Sequence, residues 1–381
     1  MQAVDYCFFI VYNKKVYMAK EYKYICNIGS SSVSLTGIFI DKGNCGRFFY
    51  KEYRHDGLNK NFFKNPEKLV AIIEKLVAEC SDKANREIKD VFVILPQRFF
   101  RFSNGSRSIE IKNGIVSEFD VTELIDEAQD EIEDCMYLEC SPIAFRVQED
   151  YIDDPVGQEG DVLEMLYVSV GILVRIKEFF DDVAKRLDID FTLLPVLDPI
   201  LSKLKREYET NVSSRIVLNF TDNFVDVCYC EMGAVISMTT VEVGNDDFVE
   251  VLQKVNKIDK DVAEELLRHV NLNIVLGEDE DDKYVVGIGK GKEYSIRQNN
   301  TNLKKIADYL AVAVNDAIES LVGNAVLPVF ITGTDICSVR GMEKILAERI
   351  TSSVCTLKPD FLVWTDTSEY AIVGLIESLC E

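Results

Sequence analysis

The chain has 381 residues, 47% hydrophobic and 28% charged, and its 42 Lys and Arg against 65 Asp and Glu leave a formal charge of -23. That is globular composition with room for two domains, and 20 Gly with 8 Pro are too few for a disordered or collagen-like chain. The charge repels phosphate backbones and anionic lipid, which argues against general nucleic-acid binding and charge-driven membrane adsorption.

The eleven cysteines are scattered without a C-x-x-C pair, so they read as reduced thiols used as small hydrophobes. With only His55 and His269 to recruit, no metal site is expected. The early apolar run Cys7–Tyr12 is far short of the roughly 20 residues of a spanning helix, and Asp5 before it makes a poor signal peptide. Residues 1–20 read either as a small hairpin extension or as sequence upstream of a natural start at Met18.

From Tyr24 a meander begins: strand Tyr24–Ile28, turn Gly29–Ser32, strand Val33–Ile40, then Arg47–Tyr53. Asn65-Pro66 opens a helix with Leu69, Ile72, Ile73, Leu76, Val77 and Cys80 at helical spacing. Val91–Leu95 has the continuous apolar run of a buried strand. After Pro96, short strands Phe99–Phe102 and Ser108–Ile111 precede a helix that Asp120 opens, with Glu123 completing a capping box. Val121, Leu124, Ile125, Ala128 and Ile132 form its apolar face, and strands near Ile143–Val147 and Val162–Val168 complete an α+β insert. A helix marked by Ile176, Phe180, Val183 and Leu187 then leads to strand Phe191–Leu194.

At Arg215 the opening pattern returns: strand Ile216–Phe220, turn Thr221-Asp222-Asn223, strands Phe224–Cys230 and Val235–Val243. Asn27-Ile28-Gly29 overlays on Asn219-Phe220-Thr221. Gly287–Lys292 reads as a hairpin turn, a long helix runs through Leu303 to Leu321, and strand Val326–Ile331 ends at Gly333. Helix Gly341–Ile350, Trp364 and an apolar helix Tyr370–Leu379 close the chain. The duplication implies two α/β halves facing a cleft. The expected division is an extension at 1–20, a first domain of 21–97 plus 169–210 and an insert at 98–168. A second domain of 211–243 plus 324–381 carries a subdomain at 244–323.

Two meander-led halves, each with a turn after its first strand, resemble the actin-like ATPase superfamily, whose fold is a ribonuclease H-like unit duplicated. The position of the insert resembles the bacterial cell-division actin homologue FtsA. That family's D-P-x-G-x-x-G-x-x-L signature is matched by Asp154, Pro155, Gly157, Gly160 and Leu163. Ile331-Thr332-Gly333 and Val339–Glu343 resemble the adenosine side, with Thr334 where the family has a second glycine. The pilus-assembly actin homologue PilM shares the insert position and stands as the alternative.

The resemblance implies Mg-nucleotide held between two hairpins, each with a carboxylate for the metal's water shell and glycines for phosphate approach. The first hairpin pattern, D-x-G-[TS], reads Asn27-Ile28-Gly29-Ser30 with Ser31 following, so the carboxylate has become an amide. The second, D-x-G-G-G-[TS]-x-D, reads Asn219 through Asp226, with every glycine lost, Asp222 set against the phosphates and Phe224 in the hydroxyl's place. The lysine of the family's A-E-x-x-K stretch falls on Leu267. These losses imply a pseudo-ATPase with no cofactor, although weak ATP binding through Gly29–Ser32 and Gly333 stays allowed.

By resemblance, residues 244–323 would hold a groove for the tail of the tubulin homologue FtsZ, with Arg268, Lys290, Lys292 and Arg297 as partner-binding candidates. The insert would mediate self-association. The expected place is the cytoplasm, with recruitment to the membrane at midcell through a divisome partner. FtsA-like chains carry a basic amphipathic tail, whereas Tyr370–Leu379 has no Lys or Arg, so no direct anchor is expected. A pilus scaffold would instead bind a short peptide of a membrane partner, and an active ATPase would need the lost carboxylates.

Overall fold

The structure is a computed structural model that describes residues 21–41, 44–59, 61–148, 150–152, 154–207, 214–277, 280–287, 291–350, 352–358 and 369–380. The expectations for residues 1–20, Lys290 and Trp364 lie outside the described residues.

The first sheet starts as an antiparallel meander, β1 (Glu21–Ile28), β2 (Ser32–Asp41) and β3 (Asn44–Arg54). A short hairpin, β4 (Leu58–Asn59) with β5 (Phe62–Phe63), leads into α1 (Pro66–Ala84). Asn65 caps α1 by accepting from Lys68 N (3.2 Å), Pro66 fills the position whose N–H is spare, and Asn85 in the left-handed region ends it. Leu69, Ile73, Leu76 and Cys80 bury its apolar stripe. The strand β6 (Asp90–Leu95) then runs parallel to β1.

The insert has its own four-stranded sheet. Its elements are β7 (Phe100–Glu110), α2 (Glu118–Glu127), β8 (Cys135–Val147), β9 (Asp150–Ile152) and β10 (Val162–Leu173), in the order β7-β10-β8-β9. Here the strand readings need correction. The two short strands expected at Phe99–Phe102 and Ser108–Ile111 are one strand, because Asn104-Gly105 looks like a turn but is paired with β10 throughout. Gly105 leaves room for the Tyr167 ring, whose hydroxyl would lie 2.5 Å from a Cβ there. β8 begins eight residues before Ile143, its alternation masked by register shifts at Leu166/Tyr167 and Val170/Gly171. α2 is capped by Ser117, not opened by Asp120; Asp120 is the reciprocal partner, returning a bond to Ser117 N (2.8 Å). Ile132 lies beyond the helix end.

The chain re-enters the first domain through α3 (Val174–Leu187) and β11 (Asp190–Pro195), then α4 (Leu197–Glu207). The second half repeats the plan with β12 (Ser214–Phe220), β13 (Val225–Glu231) and β14 (Ala234–Val241). Helices α5 (Asn245–Asn256) and α6 (Lys260–His269) and the hairpin β15 (Lys283–Val286) with β16 (Lys292–Ser295) form the added region, closed by α7 (Ile296–Val322). The sheet resumes with β17 (Val329–Gly333), followed by α8 (Met342–Arg349), β18 (Val354–Thr356) and α9 (Tyr370–Cys380). β17 begins three residues later than Val326, which is 70% exposed. The sheet orders are β3-β2-β1-β6-β11 and β14-β13-β12-β17-β18, the same topology twice. Between the two sheets, α4 and α9 bury Leu197, Leu201, Tyr370 and Val373 with Ile25 of one sheet and Val217 of the other.

Candidate functional site

The duplicated strands end at one cleft. β1 stops at Ile28, and Gly29 N donates to Ser32 O (2.8 Å) to close the first turn. β12 stops at Phe220, and Thr221 N donates to Phe224 O (2.9 Å) to close the second. A cavity of about 380 Å³ lies between them, lined by Asn27, Gly29, Ser30, Ser31, Asn219, Asp222, Gly333 and Thr334. The structure therefore brings together all eight residues read from the two hairpins and the adenosine side.

The two turns touch. Ser30 Oγ donates to Asp222 Oδ2 (2.8 Å), Ser31 Oγ donates to the same oxygen, and Asp222 N donates to Ser30 Oγ (2.9 Å). Asp222 of the second domain thus places its carboxylate against the hydroxyls of the first hairpin. A second tie crosses the cleft mouth, where the Arg54 guanidinium binds both oxygens of Glu264, with Nη1 3.1 Å from Oε1.

The second turn has none of the glycines of the hairpin it resembles, yet its backbone is closely approached. A Cβ on Gly244 would lie 2.5 Å from Asp222 O. Asp246 N donates to Asp222 O (2.7 Å) and Asn245 N to Thr221 O (3.0 Å), so the start of α5 is stitched to the turn. Gly333 has φ +117°, and a Cβ there would meet Phe220 O at 2.0 Å, which explains a glycine at the end of β17.

Two readings of the cleft change. Phe224 does not stand in it: the ring is 1% exposed and belongs to the first domain's core, with Phe99, Phe100 and Val170. Arg98 lies over that ring, 4.0 Å from its centroid. Leu267 is likewise buried in the second core, and the basic residue of α6 that lines the cavity is Arg268, one position later. The helix turn, not the motif register, decides which side chain faces the cleft.

His55 was missed by the sequence reading. Gly57 N donates to its Nδ1 (3.1 Å), which leaves the proton on Nε2 to donate to Gly29 O (3.1 Å). Burial pushes its pKa down, which favours the neutral ring that props the first turn. Nothing in the spacing of a lone histidine after β3 signals this contact.

Asp226, which ends the second hairpin motif, is fully buried beside Asn219. Its Oδ1 accepts from Thr240 Oγ1 (3.1 Å), while among the described residues no donor lies at hydrogen-bond geometry to Oδ2. Burial pushes the carboxyl up to about 7, against the bond from Thr240, the charge of Arg98 and the neighbouring Asn219 amide. The folded state therefore binds this proton more tightly than the unfolded chain, whose value is near 3.8. Its contribution is fully present below pH 3.8 and is lost as pH rises through 7. Asp226→Asn should match the wild type in urea midpoint at pH 4 and exceed it at pH 8.

The insert motif is structural. Asp154 Oδ1 accepts from Val156 N (3.1 Å), Gly157 sits at φ +88°, Gly157 N donates to Val116 O (2.9 Å), and Gly160 N donates to Gly114 O (3.0 Å). Pro155 is buried, and Leu163 packs in the insert core with Val121 and Leu124 of α2. Of the partner-binding candidates, Arg268 lines the cleft, Lys292 opens β16, and Arg297 donates to the carbonyl oxygens of Gly277 and Glu280. Among the described residues no three His, Cys, Asp or Glu side chains are placed to hold a metal ion, and no helix is long and apolar enough to cross a membrane.

No protein-family model and no curated protein sequence matches the chain. Solved structures do. A PilM–PilN type IV pilus biogenesis complex matches over 94% of this chain and 98% of that one, at 12% identity and TM-score 0.62. The ethanolamine utilization protein EutJ from Carboxydothermus hydrogenoformans matches over 94% and 90%, at 12% identity and TM-score 0.52. MreB5 of Spiroplasma citri bound to ADP matches over 94% and 97%, at 9% identity and TM-score 0.54. With the repeated sheet order, these likenesses establish the fold as the two-domain actin-like one.

Proposed function

We propose that this chain is a catalytically silent actin-like scaffold that works by holding a partner protein. The observation that carries the reading is the Asp222 carboxylate against Ser30 and Ser31, where a nucleotide-binding relative would offer its hairpin to phosphate. A phosphate there would meet a fixed negative charge, and one unit-charge contact at ~4 Å and an effective dielectric of ~20 costs about 4 kcal/mol. Asn27 and Asn219 supply amides where the metal's water shell needs carboxylates. The side chains present therefore do not fit Mg-nucleotide.

Magnesium-dependent phosphate release is expected to stay at background. Asn27→Asp with Asn219→Asp should leave it there, because Asp222 still faces the first hairpin. Robust turnover by either chain would defeat the reading.

As to the partner, the pilus-assembly type is the better-supported reading. It draws on the likeness to a pilus biogenesis complex over nearly all of both chains. Of the candidate tail-binding cations of the cell-division reading, Arg268 lines the cleft and Arg297 donates to the carbonyl oxygens of Gly277 and Glu280, both at exposed positions. Fluorescence anisotropy with a labelled FtsZ C-terminal tail peptide should show no saturable binding; saturable binding would restore the division reading.

A further inference from the structure

Cys26, Cys80, Cys228, Cys230 and Cys337 are buried and fit their reading as small hydrophobes. Cys45 and Cys380 differ. Both are half-buried and come from opposite ends of the sequence, Cys45 near the start of β3 and Cys380 at the last residue of α9. Yet their side chains are hydrogen-bond neighbours, thiol to thiol.

The surrounding packing fixes that meeting. β3 and α9 pass with Cα atoms within 8 Å. Both cysteines pack against the apolar cluster between the two sheets, beside Ile40 and Leu379. Ile40 of β2 is also the strand partner of Cys45. Two residues further along β3, Arg47 Nη1 lies 3.4 Å from Oε1 of Glu369, which directly precedes α9. Strand and helix therefore run in opposite senses and are tied at both ends of the helix, by an ion pair at one and a thiol pair at the other. Thiols that already touch on two packed elements need little backbone movement to be bridged.

We propose that Cys45 and Cys380 are a reversible disulfide site, oxidised by a small-molecule disulfide of the glutathione class, that ties the first meander to α9. One cysteine, as thiolate, attacks a sulfur of the small disulfide and expels a small thiolate, leaving a mixed disulfide on the chain. The second cysteine gives up its proton and attacks the protein sulfur of that mixed disulfide, expelling the other small thiolate. Two protein thiols are oxidised, one small disulfide is reduced to two thiols, and the two protons end on those thiols. Burial, with the neighbouring Cys380 thiol adding to it, pushes Cys45 up to about 12. Little thiolate is present at neutral pH, so the exchange is slow there and speeds up as pH rises. The bond closes a long loop and restricts the unfolded chain. Because α9 shares its cluster with Val217 of the second sheet, the oxidised tie acts on the junction of both halves.

The test incubates the full chain with oxidised glutathione in native buffer at mildly alkaline pH, followed by alkylation and peptide mapping by mass spectrometry. Wild type should yield a linked Cys45–Cys380 peptide pair that dithiothreitol returns to two thiols. Cys45→Ser and Cys380→Ser should each lose the link and carry glutathione on the remaining cysteine of the pair. Cys355→Ser, at an exposed position of β18, should keep it. Oxidised wild type should have a higher urea midpoint than reduced wild type, with the difference lost in both variants of the pair. The proposal is overturned if Cys355 takes up glutathione while Cys45 and Cys380 stay unlinked. It is equally overturned if the link maps to another pair, forms only once urea has unfolded the chain, or leaves the urea midpoint unchanged.

Discussion

Asp222→Ala is expected to cost about 3 kcal/mol of stability and to loosen the two domains. The carboxylate accepts two serine hydroxyls across the cleft, and hydrogen bonds to a charged acceptor contribute about 1.5–3 kcal/mol each, toward the lower end at a half-buried site. The Asp222 N–H bond to Ser30 survives truncation, so the turn itself should persist. Asp222→Asn keeps one acceptor oxygen and should lose about half as much. Removing the carboxylate also frees Ser30 and Ser31 as donors toward an outside anion. Inorganic phosphate should then raise the melting temperature of the Ala variant and leave the wild type unmoved. Equal urea midpoints for wild type and Asp222→Ala would show that the clasp contributes nothing.

Phe224→Ala should be more damaging, by about 3–5 kcal/mol, the cost of emptying a fully buried aromatic site. The ring belongs to the second domain's sequence and to the first domain's core, so its loss both opens a cavity and uncouples the halves. Arg98 would lose the ring it covers, leaving its guanidinium with Glu242 (3.6 Å) as the remaining ion-pair partner in the described structure. Equilibrium unfolding should then split into two transitions, with Phe224→Leu recovering much of the cooperativity. A single unchanged transition would mean that the ring is not what joins the domains.

The duplication was legible because both meanders carry their signal in continuous apolar strands: Asn27 and Asn219 stand at matching places, opposite Ser34 and Asp226 in their antiparallel neighbours. The insert was less legible. Long strands with bulges and a polar run break period-two alternation, so β7 read as two pieces and β8 as its last third. In the cleft, the residue types were readable but their directions were not. Phe224 and Leu267 turn into cores, Arg268 turns outward, and Gly244 supplies from another segment the close approach expected of glycines in the turn.

The placement of α9 has a consequence for the order in which the molecule comes together during synthesis. It is the last described element to be made, yet it packs on α4 and shares a cluster with side chains from both sheets. A Cβ on Gly374 would meet Pro199 O at 2.1 Å, so the two helices are in close backbone contact. Until that helix emerges, the nascent first half carries an uncovered apolar face on α4, including Leu197, Ile200, Leu201 and Leu204. Such transient surfaces are where growing chains aggregate or recruit chaperones. The N-terminal half holds a complete five-stranded sheet, yet the apolar face of α4 finds its main partner only in α9.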